Sequence, residues 1–452
     1  MRNTISPVIL VPGITASVLH DEYELPPEAV WTTALKRRYE RVTLHPLTLD
    51  AADRPPYELH EPARVAPHGP FPLIYEDLIE ELRDGLSEDH PGPVPVFPFG
   101  YDWRMPLDHT EQLLAAFVEE VIDRTLLLPH YRNDSGYRDH PAVSLIGHSM
   151  GGLVIAGYIQ RRGSRRVDRV VTIASPFQGS YEAVLKLATG TGDFGDDSGK
   201  ARERRMARLT PALYHLLPGF GGVDADDGLE TDLFHPDAWQ PGVVRTIEQQ
   251  VSGWNVAGPD LFRAMLGQAL AHRNRISALH LAEPDGAGDP HGPTDPGPPS
   301  RQLTGDHWLA IAGVDCETRV GLRIRRDKTG KPRFHLRSAE RLNQWNDRDA
   351  GPATSRRTGD GTVPLTAAIP PFLDESRLVC VTPGDFGYWE LRDRVLTRFA
   401  GFHGLMPTMN MLHRLILRFL QEKGDPYGST WGRRLPGVKS WNPPLAPLRE
   451  KG

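Results

Sequence analysis

Short apolar runs alternate in the first half of the chain with stretches in which apolar residues recur every three or four positions. The runs PVILV (7–11), AVSLIG (142–147) and VDRVVTIASP (167–176) have the length of buried strands. Apolar residues at helical spacing occur in 74–86 and 111–128. Strands that alternate with helices are typical of an α/β fold, in which helices cover a mostly parallel sheet.

The alternation breaks after Gly179. Helical patches such as YEAVLKLA and LFRAMLGQALAHR follow, separated by Gly- and Asp-rich breaks, and the Pro- and Gly-rich segment 283–299 predicts a loop or linker. Strand patterns return in HWLAIAGV (307–314) and RLVCVT (377–382), before a helical pattern at 409–421. We therefore expect a sheet that is interrupted by a long helical insertion.

This pattern divides the chain into a core, an insertion and a tail. The core would comprise residues 1–179, with a loop-rich insertion at 15–70, and residues 301–424. Residues 180–300 would form a mobile cap or lid, because they leave the sheet just after the strand 167–176. A tail at 425–452 would follow. With 452 residues, one elaborated domain and two separate domains both remain open.

Composition narrows the class of protein. A net charge of −6, with both signs interspersed, gives no reason to expect nucleic acid as a partner. The two cysteines, Cys316 and Cys380, form neither a disulfide framework nor a metal motif; we expect buried thiols, with one bridge as the alternative. The start MRNTISPVILVPG lacks the pattern of a secretory signal, so a soluble cytoplasmic protein is the expectation.

The segment VSLIGHSMGGLVI (143–155) places Ser149 between a predicted strand and a predicted helix. Gly147 and Gly151 would let the backbone turn sharply and hold the hydroxyl out at the carboxyl edge of the sheet. G-x-S-x-G with a strand before it and a helix after it indicates a nucleophilic serine. The alternative is a serine that only caps the helix.

A nucleophilic serine needs a base, and the base needs an orienting acid, which in this kind of site follow the serine in the order acid, then histidine. Asp360 lies in TGDGTVPL between two glycines, although Asp-Gly is also a common turn pair. His403 lies in a Gly-flanked loop after the strand 377–382. Asp315 and His413 are the competing residues, and His413 falls within a helical pattern that is typical of a surface or capping histidine.

Two backbone amides would bind the oxyanion that forms when the serine attacks. The Met150 N–H lies at the start of the helix that follows Ser149. The Ile14 N–H lies in the loop VPGIT after the first strand, where an ordinary turn is the alternative.

Seven motifs together resemble one family. PVILVPG, GYDWR (100–104), GHSMGG, SPFQGS, LYHLLP, GDGTVP and HGLM occur in the order seen in lecithin:cholesterol acyltransferase-like proteins, which include lysosomal phospholipases and phospholipid:diacylglycerol acyltransferases. The resemblance implies an α/β-hydrolase fold, a triad of Ser149, Asp360 and His403, and oxyanion amides at Ile14 and Met150. It also implies a buried structural pair of Asp102 and Arg104.

Three functions follow as hypotheses. The first is a serine hydrolase that cleaves carboxylic esters of lipids through an acyl-enzyme, and the second is an acyltransferase that uses the same intermediate with an alcohol acceptor. The third is a non-catalytic protein of the same fold that binds a ligand. The expected partner is a lipid or another ester, with transient contact at a lipid surface. We expect no cofactor and no metal, because the His, Asp and Cys spacings match no ligand motif.

Overall fold

The computed structural model describes residues 4–32, 38–44, 64–190, 197–282, 302–339, 358–387, 390, 401–424, 432–435 and 437–445. The predicted loop at 283–299 lies outside the described residues, and so does most of the predicted tail. Within the described residues, the chain has an α/β-hydrolase fold, as predicted.

The central sheet has six strands, and every pairing in it is parallel. The strands are β1 (Val8–Val11), β5 (Val96–Pro98), β6 (Val143–His148), β7 (Val167–Ile173), β9 (Trp308–Gly313) and β12 (Val379–Val381). Their spatial order is β12-β9-β7-β6-β1-β5. The apolar runs of the sheet exclude water on both faces, so that β6 and β9 are buried along their whole length.

Helices surround this sheet and bury their apolar faces. The helices of the core are α1 (Pro72–Ser87), α2 (Leu107–Thr125), α3 (Pro129–Arg132), α4 (Ser135–Asp139), α5 (Met150–Arg162), α11 (Leu365–Ala368) and α12 (Asn410–Leu420). Helix α2 packs against α5, and α1 packs against α12. The apolar spacing in the sequence predicted α1, α2, α5 and α12.

Two small sheets were not predicted. The segment expected to be loop-rich contains an antiparallel sheet of β2 (Ser17–Asp21), β3 (Glu28–Trp31) and β4 (Val65–Pro70), with irregular register in both pairings. These irregularities disturb the alternation of apolar and polar residues that would reveal strands in a sequence. The other sheet joins β8 (Val223–Ala225), β10 (Thr318–Arg326) and β11 (Pro332–Ala339).

The segment between β7 and β9 is mainly helical in its described part. Its helices are α6 (Tyr181–Ala188), α7 (Asp197–Arg208), α8 (Pro211–His215), α9 (Pro241–Val251) and α10 (Gly258–Ser277). Helix α10 packs against α8, α9 and the core helix α5. Strand β8 pairs with β10, so the segment also contacts residues beyond 301. Its role as a cap stays a prediction.

The structure also bears on a disulfide between the two cysteines and on membrane-spanning helices. Cys316 and Cys380 do not form a disulfide; Cys380 is buried in β12 as expected, whereas Cys316 is only partly buried, so the expectation of a buried thiol was wrong there. In the part of the chain that the structure describes, no helix is both long enough and apolar enough to cross a membrane.

Candidate active site

Ser149 occupies a sharp turn between β6 and α5. Its backbone has φ 53° and ψ −126°, a left-handed conformation that costs free energy in a residue with a side chain. The Ser149 N–H donates to the Ile173 carbonyl at 2.8 Å, which anchors the turn to the end of β7. The serine therefore lies at the carboxyl edge of the sheet, as predicted.

The predicted need for glycines beside this turn has a steric basis. A Cβ atom on Gly151 would lie 2.2 Å from the Val11 carbonyl oxygen, and one on Gly147 would lie 2.7 Å from the Gly152 nitrogen. Both distances are shorter than side-chain contacts allow. Only glycine lets β1 and α5 approach the turn this closely.

His403 joins Ser149 to Asp360, and it lies in a short helical segment, 401–405, where a loop was predicted. Its Nε2 lies 2.9 Å from the Ser149 Oγ, and its Nδ1 lies 2.7 Å from the Asp360 Oδ2. A carboxylate only accepts hydrogen bonds, so the Nδ1 carries a proton and the Nε2 of the neutral ring is free to accept the serine proton. The three residues that sequence reasoning selected are thus within hydrogen-bonding distance in the order that acyl transfer requires.

The Asp360 side chain is fixed by its own turn. Its Oδ1 accepts from the Thr362 N–H at 2.9 Å and from the Val363 N–H at 2.7 Å, which leaves the Oδ2 for His403. The Asp360 carbonyl also accepts from the His403 N–H at 3.2 Å. Asp360 therefore forms the hydrogen bonds of a turn with one carboxylate oxygen and contacts His403 with the other, so the two alternatives for this residue are compatible.

The two competing residues have other surroundings. The Asp315 N–H donates to the Thr358 Oγ1 at 2.9 Å, and the acid that contacts His403 is Asp360. His413 lies on α12 but is buried, with its Nε2 donating to the Pro407 carbonyl at 2.7 Å. The expectation that His413 lies at the surface was wrong, because this carbonyl and the core around α12 hold the ring inside.

The predicted oxyanion amides belong to elements that border Ser149. Met150 is the first residue of α5, so its N–H is one of those that a helix leaves without an internal partner. Ile14 lies in the loop after β1, where Thr15 has φ 60° and the Trp31 indole donates to the Thr15 carbonyl at 2.9 Å. Their function as oxyanion donors stays a prediction.

Sequence reasoning missed two buried side chains near the site, Tyr75 and His148. The Tyr75 hydroxyl lies 2.8 Å from the His148 Nδ1, and the His148 Nε2 lies 3.0 Å from the His403 carbonyl oxygen. His148 stands within the quoted motif, directly before Ser149, but nothing in the motif indicates its partners. Tyr75 reads only as part of the apolar face of α1.

Asp102 and Arg104 form the buried pair that the resemblance implies. The Arg104 Nε lies 2.8 Å from one Asp102 oxygen and its Nη2 lies 2.7 Å from the other, so the contact is bidentate. The Arg104 side chain is fully buried and also donates to the Val42 carbonyl at 3.3 Å. The pair has a structural role, since it links the described residues around position 42 to the core.

A second polar cluster, also missed, lies between α2, α5 and α10. Asp108, Glu111 and His272 approach each other closely enough to share a metal ion. However, Arg161 lies 2.7 Å from Glu111, and Arg275 contacts both acids. The arginines already neutralise the two carboxylates, so the chemistry of the cluster is that of a buried ion-pair network.

Comparison with protein families confirms the resemblance over the part of the chain that carries most of the motifs. The family model of lecithin:cholesterol acyltransferase matches residues 74–241, which include Ser149. No curated protein sequence matches this chain significantly. The family match supports, at the level of the family, an enzyme that transfers or hydrolyses acyl groups of lipids.

Comparison with solved structures supports the fold. A chain in the crystal structure of the Tle4–Tli4 complex superposes with a TM-score of 0.54 at 15% identity, over 81% of this chain and 89% of that chain. At that identity the likeness concerns the fold alone. The lin2722 product of Listeria innocua covers 59% of this chain and 81% of its own at 14% identity, but its TM-score of 0.19 carries no structural argument.

Proposed function

We propose that this protein is a serine hydrolase that cleaves carboxylic esters of lipids through an acyl-enzyme. The observation that carries the proposal is the continuous contact from Ser149 through His403 to Asp360, at 2.9 and 2.7 Å. The side chains of His403 and Asp360 are 11% and 1% exposed, so the acid is shielded from water while the base keeps an open side. This arrangement suits a base that is oriented from within the protein.

In the first step, the Ser149 Oγ attacks the ester carbonyl carbon while the His403 Nε2 takes the hydroxyl proton. Asp360 holds the ring through Nδ1–H and stabilises the imidazolium that results. The N–H groups of Ile14 and Met150 donate to the oxyanion of the tetrahedral intermediate, where charge develops. The imidazolium then returns its proton to the leaving alcohol as the bond between carbon and that alcohol breaks, which leaves an acyl-serine.

In the second step, a water molecule or an alcohol attacks the acyl-serine. The His403 Nε2 takes a proton from this nucleophile and returns it to the Ser149 Oγ as the acyl group departs. Water as the acceptor gives hydrolysis, and an alcohol gives acyl transfer. The match to an acyltransferase family favours acyl transfer as the second candidate function.

The test combines covalent labelling with product analysis. A fluorophosphonate probe labels an activated serine, so we expect peptide mapping to find the label on Ser149 alone. Purified protein is then given p-nitrophenyl esters of increasing acyl length and phospholipid vesicles, with and without an alcohol. Free fatty acid identifies a hydrolase, and a new ester identifies an acyltransferase. A folded protein without label and without either product would instead support the non-catalytic hypothesis.

We further propose that residues 180–300 act as a cap that selects the acyl chain. The support comes from where the segment begins. The Ser180 N–H donates to the Leu216 carbonyl at 2.8 Å, and the Ser180 hydroxyl donates to the Thr362 carbonyl in the turn of Asp360. The Gly219 N–H donates to the Gln178 carbonyl at 2.9 Å, so the segment contacts loops at the carboxyl edge of the sheet.

The cap proposal predicts that occupying Ser149 changes the mobility of the insertion. Hydrogen exchange is measured on the full chain with Ser149 free and with Ser149 carrying a long-chain phosphonate. We expect slower exchange in α6–α8 of the phosphonylated protein, because the acyl-like chain would pack against them. Identical exchange in both samples would contradict the cap.

A further inference from the structure

A chain of buried hydrogen bonds connects the loop after β1 to the backbone of His403. The Gly13 N–H donates to the Tyr75 hydroxyl oxygen at 3.2 Å, and the Tyr75 oxygen lies 2.8 Å from the His148 Nδ1. The His148 Nε2 lies 3.0 Å from the His403 carbonyl oxygen. Tyr75 is fully buried and His148 is 5% exposed.

The direction of each hydrogen bond follows from the chemistry of the two ends. A carbonyl oxygen only accepts, so the His148 Nε2 must carry a proton that it donates to His403. A backbone N–H only donates, so the Tyr75 oxygen accepts from Gly13 and its own proton points to the His148 Nδ1. With His148 neutral, each of the three hydrogen bonds in this chain has one donor and one acceptor.

We propose that Tyr75 and His148 are positioning residues that hold the Gly13–Ile14 loop and the His403 backbone in register on either side of Ser149. The inference rests on the proposed function and adds two residues that do not touch the reacting atoms. Ile14 carries one proposed oxyanion donor and His403 carries the base. Both must be placed relative to one tetrahedral carbon, and a displacement of about 1 Å can cost about 100-fold in rate.

The charge state of His148 agrees with this function. Burial, and next the nearby His403, lowers the pKa of His148 to about 3. Burial also raises the pKa of Tyr75, so neither group ionises near neutral pH. The rings of His148 and His403 are 5.2 Å apart. A neutral His148 can therefore orient His403 without repelling the imidazolium that forms during acyl transfer.

The test compares Tyr75→Phe with Tyr131→Phe. Both tyrosines are fully buried, and the Tyr131 hydroxyl makes a single bond of 2.9 Å to the Ile5 carbonyl, at the opposite, amino-terminal edge of β1. We expect Tyr75→Phe to lower kcat roughly 10- to 100-fold with little change in KM, and to slow fluorophosphonate labelling of Ser149 by the same factor. Tyr131→Phe should leave both rates within about threefold of the wild type.

Two readouts separate positioning from a loss of folding. The final extent of labelling counts folded molecules and should stay complete in Tyr75→Phe, while the rate constant falls. His148→Gln should slow labelling by a similar factor. The double variant should be no slower than the slower single variant, because both changes break the same chain of bonds. If Tyr75→Phe does not fold, the labelling rate of folded His148→Gln decides in its place.

The outcomes distinguish this inference from the proposed function. Labelling of Tyr75→Phe at the rate of Tyr131→Phe, or losses that multiply in the double variant, would overturn the positioning role and leave the triad intact. A wild-type protein that the probe does not label would overturn the proposed function itself.

Discussion

Two buried pairs in this molecule look alike at first inspection. The Asp360 Oδ2 lies 2.7 Å from the His403 Nδ1, and the Glu111 Oε1 lies 2.7 Å from the His272 Nε2. In both pairs the carboxylate side chain is 1% exposed. The first pair lies at the carboxyl edge of the sheet, and the second lies between α2 and α10.

The two pairs differ in what the histidine ring contacts besides its carboxylate. In His403 the second ring nitrogen faces the Ser149 hydroxyl, and the ring is 11% exposed. The His272 ring packs at 4.8 Å against His215 and is 1% exposed. Glu111 also contacts two arginines, whereas the second carboxylate oxygen of Asp360 accepts hydrogen bonds from two backbone N–H groups. An acid–histidine contact is thus a general way to satisfy buried polar groups, and a catalytic function further needs a nucleophile and access to substrate.

Removing the nucleophile is the strongest test of this difference. Ser149→Ala should lower kcat for ester cleavage by about 10⁶-fold, since no other group can form the acyl-enzyme. Thermal unfolding should stay close to that of the wild type. Ser144→Ala is the matched control, because Ser144 is a buried serine in β6, the strand that precedes Ser149, and this variant should keep nearly full activity. A folded Ser149→Ala protein with near-native kcat would contradict a catalytic function for the Asp360–His403 pair.

Replacing the acid of the first pair should have the next largest effect. In Asp360→Asn, an amide N–H facing the Nδ1 would shift the ring proton to Nε2, which then cannot accept from Ser149. We expect kcat to fall by about 10⁴-fold in a folded protein. Asp315→Asn is the control, because His403 contacts Asp360. A larger loss in Asp315→Asn than in Asp360→Asn would show that the acid is misassigned.

The parts of the fold that sequence predicted are those with strong local patterns. Strands β6 and β9 are buried throughout, so the sequence of β9 is an unbroken apolar run of strand length and that of β6 is largely apolar. The sheet β8-β10-β11 was not predicted because its strands lack such runs. Strand β8 has only three residues, and β10 carries four arginines among its nine residues.

The residues of the site also differ in whether the local sequence reveals them. Ser149, Asp360 and His403 each have glycines within two positions, in segments that follow strand-like runs, and this local pattern marks them in the sequence. No such local pattern marks the partners of His148 and Glu111, because Tyr75 is 73 residues from His148 and His272 is 161 residues from Glu111. Burial and hydrogen bonds across the fold create both contacts, so only the packed structure reveals them.

Replacing the acid of the second pair should affect stability rather than catalysis. Glu111→Gln removes the buried carboxylate that Arg161 and Arg275 share and leaves both arginines with the more exposed Asp108 as their acidic partner. We expect the free energy of unfolding to fall by roughly 2 kcal/mol, below the range for fully buried pairs because both arginines are partly exposed. The kcat should change less than about threefold.

The matched control for Glu111 is Glu119→Gln. Glu119 pairs with Arg166 at 3.0 Å on the surface, with its side chain 53% exposed. Its loss should cost less than about 1 kcal/mol in urea unfolding. Equal effects of the two substitutions on stability, or a 100-fold loss of kcat in Glu111→Gln, would contradict the structural reading of the second pair.

The smallest expected effect is the pH dependence that His272 gives to stability. Burial, with nearby Arg275 next in importance, lowers the pKa of His272 to about 3 from an ordinary value near 6.5. Below pH 6.5 the unfolded chain binds a proton that the folded protein does not. The free energy of unfolding therefore falls as the pH is lowered towards 3, by about 2 kcal/mol at pH 5.

Urea unfolding of His272→Gln at pH 7 and pH 5 measures this contribution. Burial raises the pKa of Glu111 to about 7, which acts in the opposite sense, since stability from a protonated acid is lost as the pH rises towards 7. The diagnostic is therefore the difference between wild type and variant. The free energy of unfolding of the wild type minus that of the variant should fall from pH 7 to pH 5, because only the wild type contains this ring, which takes up a proton on unfolding. A difference that stays constant between pH 7 and pH 5 would mean that the His272 ring gains its proton in the folded protein, and it would contradict the neutral ring that we infer.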